Sequence, residues 1–126
     1  MNHIRVTKLS ELPDLSGAQE IVLDYESRSR DPQAAEADPW FGARIALIGI
    51  GDGQNVWTIA TDRCKRPTPA NPALPLAPVL DWLRKTLAQP RKRIIAHWIR
   101  AEANLSRADD CPLSPDYFHF WFHPGL

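Results

Sequence analysis

Apolar positions along this chain fall into short, separated runs, and their spacing changes period once. Ile21-Val22-Leu23 is a continuous apolar run and predicts a buried strand that leaves at Asp24. Residues 27–42, with two Asp-Pro steps, read as a long loop. Ala43 to Ile50 is apolar on both faces apart from Arg44, the pattern of a central strand. Gly51-Asp52-Gly53 is turn chemistry, and Asn55 to Ala60 reads as the return strand of a hairpin. A proline-rich connection, 61–75, follows. The period then becomes helical, with Leu76, Val79, Leu80, Leu83 and Leu87 on one face. Pro78 fits only in the first turn, and Pro90 stops the helix. Ile94-Ile95-Ala96 is a short buried strand ending at His97, and Trp98 to Ala108 favours a second helix. Residues 1–19 are polar and mixed; 109–126 are rich in aromatics. The predicted fold class is therefore α/β: an antiparallel three-strand meander, a crossover helix, a parallel fourth strand beside the first, and a second helix.

Composition narrows the class. At 126 residues the chain is one domain, with a core over about 20–110 and an aromatic tail, 111–126. Hydrophobic residues at 44% and charged ones at 24% exclude a disordered chain. No apolar run approaches the ~20 residues of a membrane helix, and Met1 to Arg5 lacks a signal-peptide core. The expectation is a soluble, cytoplasmic protein without a membrane partner. Cys64 and Cys111 make neither a disulfide framework nor a zinc site. The net charge of zero is unevenly spread. Residues 1–62 carry five basic and ten acidic side chains, 63–107 ten basic and two acidic. An acidic half beside a basic half fits a polyanion next to an acidic site; two unrelated solvated faces fit it too.

The candidate chemistry is acidic. Asp24 and Glu26 are two apart at the end of the first strand, so both project from one face. Paired carboxylates there repel unless a hard divalent cation or an arginine compensates. Glu102 lies in the first turns of the helix after Ile94–Ala96. If that strand neighbours the first, Glu102 can approach the pair and complete a two-metal set; alternatively it is an exposed glutamate pairing with Arg100 or Arg107. His97 suits a general base, a metal ligand or a plain hydrogen-bonded spacer. Trp98 could stack on a base or pack in the core. There is no glycine-rich phosphate loop and no serine nucleophile elbow.

These residues carry a family resemblance. Ile21-Val22-Leu23-Asp24-Tyr25-Glu26-Ser27-Arg28-Ser29 resembles the first motif of the 3′–5′ exonuclease domain of phage-type family A DNA polymerases. Ile94-Ile95-Ala96-His97-Trp98-Ile99-Arg100-Ala101-Glu102 resembles its second motif, and His123-Pro124-Gly125-Leu126 a segment downstream. Trp98, Ala101 and Glu102 stand where the family commonly has Asn, Phe and Asp, and the third motif is absent. The resemblance implies a ribonuclease H-like sheet, truncated, that hydrolyses phosphodiester bonds at nucleic-acid 3′ ends. It implies two Mg²⁺ or Mn²⁺ ions held by Asp24, Glu26 and Glu102. It places Tyr25, Ser27, Arg28, His97, Trp98 and Arg100 against a single strand, DNA ahead of RNA, with Arg63 to Arg66 and Arg91 to Arg93 holding its backbone. A polymerase, or a second copy met through the aromatic tail, is the implied protein partner. The alternative is a catalytically inactive module that binds nucleic acid or a replication partner.

Overall fold

A computed structural model of the chain describes residues 2–29, 42–64, 68–69, 72–90, 93–96, 99–113 and 118–121. The strands are β1 (Asn2–Arg5), β2 (Glu20–Ser29), β3 (Ala43–Gly51), β4 (Asn55–Ala60), β5 (Arg93–Ala96) and β6 (Phe118–Trp121); the helices are α1 (Leu76–Leu87) and α2 (Ile99–Ala108). They form one mixed sheet in the order β1-β4-β3-β2-β5-β6. β2, β3 and β4 are the expected antiparallel meander. α1 crosses over to β5, which lies parallel to β2, as the sequence pattern predicts.

Alternation on β2 divides the sheet into two faces. Ile21, Leu23 and Tyr25 are buried, while Val22, Asp24 and Glu26 are exposed. The buried set meets Ile45, Ile48 and Ile50 of β3, Ile59 of β4 and Ile94 of β5. α1 adds Val79, Leu83 and Leu87 to this core, and α2 adds Leu105. Each such side chain contributes about 1.5–3 kcal/mol when fully buried. Trp82 Nε1 donates to the Pro13 carbonyl at 2.9 Å and ties α1 to the N-terminal segment. Among the described residues, both helices lie on this one face, and no helix covers the other.

Three features depart from the sequence pattern. β1 and β6 form strands at the two sheet edges, in a polar segment and in part of the aromatic tail, to neither of which the sequence pattern assigned a strand. β1 is exposed along its length and is held by pairing with β4, so burial leaves no periodic mark on it. β2 extends to Ser29, inside the loop expected from residue 27. A bulge falls between Glu26 and Ser27, opposite Ala46. The Ala46 carbonyl is satisfied from outside the ladder, accepting from Thr61 N at 3.0 Å and Thr61 Oγ1 at 2.8 Å.

The predicted turn is real. Asp52 Oδ1 accepts from Gln54 N at 2.9 Å and Asn55 N at 2.8 Å, which holds its carboxyl below the usual range. Gly53, at φ 93°, supplies the left-handed residue.

Candidate active site

Asp24 and Glu26 sit where the spacing argument puts them. Both are exposed on the open face of β2, near the middle of the sheet, with Asp24 opposite Gly49 and Glu26 opposite Leu47. Among the described residues neither carboxylate has a salt-bridge partner. Beside them lies a concavity of about 240 Å³, lined also by Val22, Gly49, Gly51, Val56 and Thr58. Mg²⁺ is commonly held by one or two carboxylates together with substrate phosphate and water. The two oxygen-donor groups side by side, with no ion-pair partner among the described residues, fit one such ion.

Glu102 is placed differently. It is 6% exposed, in the first turn of α2, on the helix-covered side of the sheet. Its charge bears on Tyr25, which alternates with Asp24 and Glu26 and so points away from them. Among the described residues no group of three or more His, Cys, Asp or Glu side chains is arranged to hold a metal. Two members of the expected triad are brought together, and the third is not.

The residues expected to touch a strand divide likewise. Tyr25 is corrected. It is 7% exposed, and its hydroxyl lies 2.7 Å from Ser106 Oγ of α2, so it packs the core rather than the ligand. Burial pushes its phenol far above the usual range. The period-2 argument that aligned Asp24 with Glu26 already placed Tyr25 on the other face. Ser27, Arg28 and Arg100 are exposed. Arg28 reaches across the bulge, its Nη1 donating to the Arg63 carbonyl at 3.1 Å. A second concavity, of about 300 Å³, lies there between Glu26, Ser27, Arg28, Arg63 and Cys64. His97 and Trp98 lie outside the described residues.

Arg63 is also corrected, from backbone contact to structure. Its Nη1 lies 2.8 Å from both Asp109 oxygens and 3.1 Å from the Ile45 carbonyl, while Asp109 Oδ2 accepts the Ile45 amide at 2.8 Å. This buried pair fastens the end of α2 to the start of β3. Arg93 Nη1 meets Glu20 Oε1 at 2.8 Å. Lys65, Arg66, Arg91 and Lys92 lie outside the described residues, as does the tail from 122 onward. Gly49 was not singled out in the sequence; the Gly49-x-Gly51 alternation, in phase with Val22 and Asp24, is the signal that marks it.

No protein-family profile matches the chain, and no curated protein does. Solved structures do. One of Brucella melitensis NrnC superposes with a TM-score of 0.55 at 14% identity, over 94% of this chain and 49% of that one. Another, with bound Mg²⁺, gives 0.51 at 14% identity over 94% and 47%. The chain thus spans about half the length of these neighbours. At this identity the likeness is one of fold, and it does not by itself support the phage-type polymerase family, phage origin or DNA replication that the motifs suggested. Among the described residues, no helix is long and apolar enough to cross a membrane. Mixed sheet, crossover and flanking helices together give this chain a ribonuclease H-like α/β fold.

Proposed function

We propose that the chain is a metal-dependent nuclease domain acting on phosphodiester bonds at nucleic-acid 3′ ends. One observation carries the reading: Asp24 and Glu26 project side by side from the open face of a central strand, with no ion-pair partner among the described residues. Asp24 and Glu26 would hold a divalent cation, which would supply polarisation of a phosphoryl oxygen and a more acidic water. Ser27, Arg28 and Arg100, all exposed, are available to the sugar-phosphate backbone. The fold shared with a Mg²⁺-bound NrnC agrees with this.

A second reading draws on the position of Glu102. With two carboxylates converging among the described residues, the domain would bind a strand without cutting it. Digestion of 3′-labelled single-stranded DNA and RNA with Mn²⁺, with Asp24→Ala purified in parallel, separates the two. Cleavage by the wild type alone supports the nuclease. Equal residual activity in both proteins sinks it, and salt-dependent strand binding without cleavage would then favour the binding module.

A further inference from the structure

The bulge between β2 and β3 is demanded by the core, but its place is not. Ile45 and Ile48 of β3 are both fully buried, yet they are three positions apart. A regular strand cannot turn two residues at an odd interval to one face, so an extra residue must stand between them. Burial leaves two places for it, Ala46 and Leu47. The extra residue is Ala46, because Glu26 pairs with Leu47 and Ser27 with Ile45. The bulge therefore begins directly after Glu26. A bulge bends the strand pair and raises the local twist, which re-aims the side chains beside it. Where the extra residue sits thus sets the angle between the Asp24 and Glu26 carboxylates.

Hydrogen bonding decides between Ala46 and Leu47. The Ala46 carbonyl accepts from Thr61 N at 3.0 Å, from Thr61 Oγ1 at 2.8 Å and from Cys64 Sγ at 3.2 Å. Beside it, the Ile45 carbonyl accepts from Arg63 Nη1 at 3.1 Å. Moving the extra residue to Leu47 would return Ala46 to the ladder and break this set. Thr61 is its centre. It follows β4 directly and is 0% exposed. Its hydroxyl donates to the bulge and accepts the Arg63 amide at 3.2 Å, so it joins the bulge to the turn after β4. Packing alone does not call for that hydroxyl. A valine of the same shape would fill the space with no polar group to desolvate. The carbonyl that the hydroxyl holds accounts for it.

We propose that Thr61 is a positioning residue for the carboxylate pair: through the Ala46 carbonyl it fixes the bulge, and so the aim of Glu26 relative to Asp24. This rests on the reading that the two carboxylates hold a cation. Thr61 is buried and acts on that cation only through β3.

Calorimetric titration of the full chain with Mn²⁺ tests this, at a temperature where circular dichroism shows every variant folded. Thr61→Val keeps the amide bond to Ala46 and removes the hydroxyl's. It should bind Mn²⁺ about tenfold more weakly than the wild type, the scale on which groups behind a metal's ligands act. Thr61→Ser, which restores the hydroxyl, should bind as the wild type does. Thr86→Val removes a like bond from α1, Oγ1 to the Trp82 carbonyl at 2.9 Å. It should lose stability and bind Mn²⁺ unchanged, the behaviour that a merely structural Thr61 would share. If Thr61→Val does not fold, Cys64→Ala removes another donor from the same carbonyl and should give a smaller loss of the same kind. Wild-type affinity in Thr61→Val, or in Cys64→Ala where it stands in, overturns the positioning role and leaves the cation site standing. So does a loss in Thr86→Val as large as that in Thr61→Val. Absence of Mn²⁺ binding to the wild type overturns the cation reading and the positioning role with it.

Discussion

At the residue scale, the most buried ion pair among the described residues, Arg63–Asp109, is structural. Asp109 is nearly buried and holds both Arg63 and the Ile45 amide. Asp109→Ala leaves a largely buried guanidinium and a strand amide without their acceptor, and should cost about 3 kcal/mol. Urea unfolding measures it; a loss under 1 kcal/mol would mean the network is weak. Tyr25→Phe strips the partner from a fully buried Ser106 hydroxyl and should cost about 1–2 kcal/mol in the same assay. These roles were hidden in the sequence, because Arg63 and Asp109 are 46 positions apart. Asp24 and Glu26 were legible, since a strand's period of two aligns them wherever it sits. Glu102 was not legible, because which face of α2 meets the sheet depends on how the helix docks.

At the element scale, what the sequence showed clearly was what burial makes periodic: β2, β3, β4, β5 and both helices. β1 is an edge strand, paired on one side only and exposed throughout, so its polar run carries no such signal. The end of α2 is a case where local chemistry alone decides. Asp110 adopts φ 58°, and Cys111 N bonds back to the Ser106 carbonyl at 2.7 Å, closing the helix through a left-handed residue. Glycine takes that conformation without the Cβ penalty. Asp110→Gly should therefore stabilise the protein by roughly 0.5–1 kcal/mol, despite lost contact with Arg84, since exposed ion pairs contribute little. A lower melting temperature for this variant would count against the cap.

Cys111, beside that cap, gives the fold a pH limit. Burial, the larger effect, pushes its thiol up to about 11. An unfolded chain releases this proton in the ordinary thiol range, near 8.5. Above that range the folded state binds more protons than the unfolded one, so stability is fully present at neutral pH and falls as pH climbs toward 11. Tyr25, raised by burial in the same sense, adds to the fall at still higher pH. Denaturation midpoints across pH 7–11 should show the decline, and Cys111→Ala should flatten its first part. A midpoint independent of pH would contradict the buried thiol.

At the scale of the whole molecule, one face of the sheet is covered by helices and the other carries the paired acids. Two like charges on adjacent positions of one face oppose folding unless something of opposite sign joins them. Among the described residues no ion pair joins Asp24 or Glu26, so the proposed cation site can be tested through stability. This has a thermodynamic consequence independent of catalysis. A cation that binds the folded state and not the unfolded one raises stability by about 2.7 kcal/mol at a concentration 100 times its dissociation constant. For a domain of this size that is a rise of several degrees in melting temperature. Mn²⁺ should produce it in the wild type, and Asp24→Asn should abolish the shift while melting no lower than the wild type in chelator, because the substitution also relieves the repulsion. If Mn²⁺ leaves wild-type melting unchanged, the two carboxylates do not form a cation site. If Asp24→Asn instead lowers the melting temperature without metal, Asp24 has a structural partner and serves the fold.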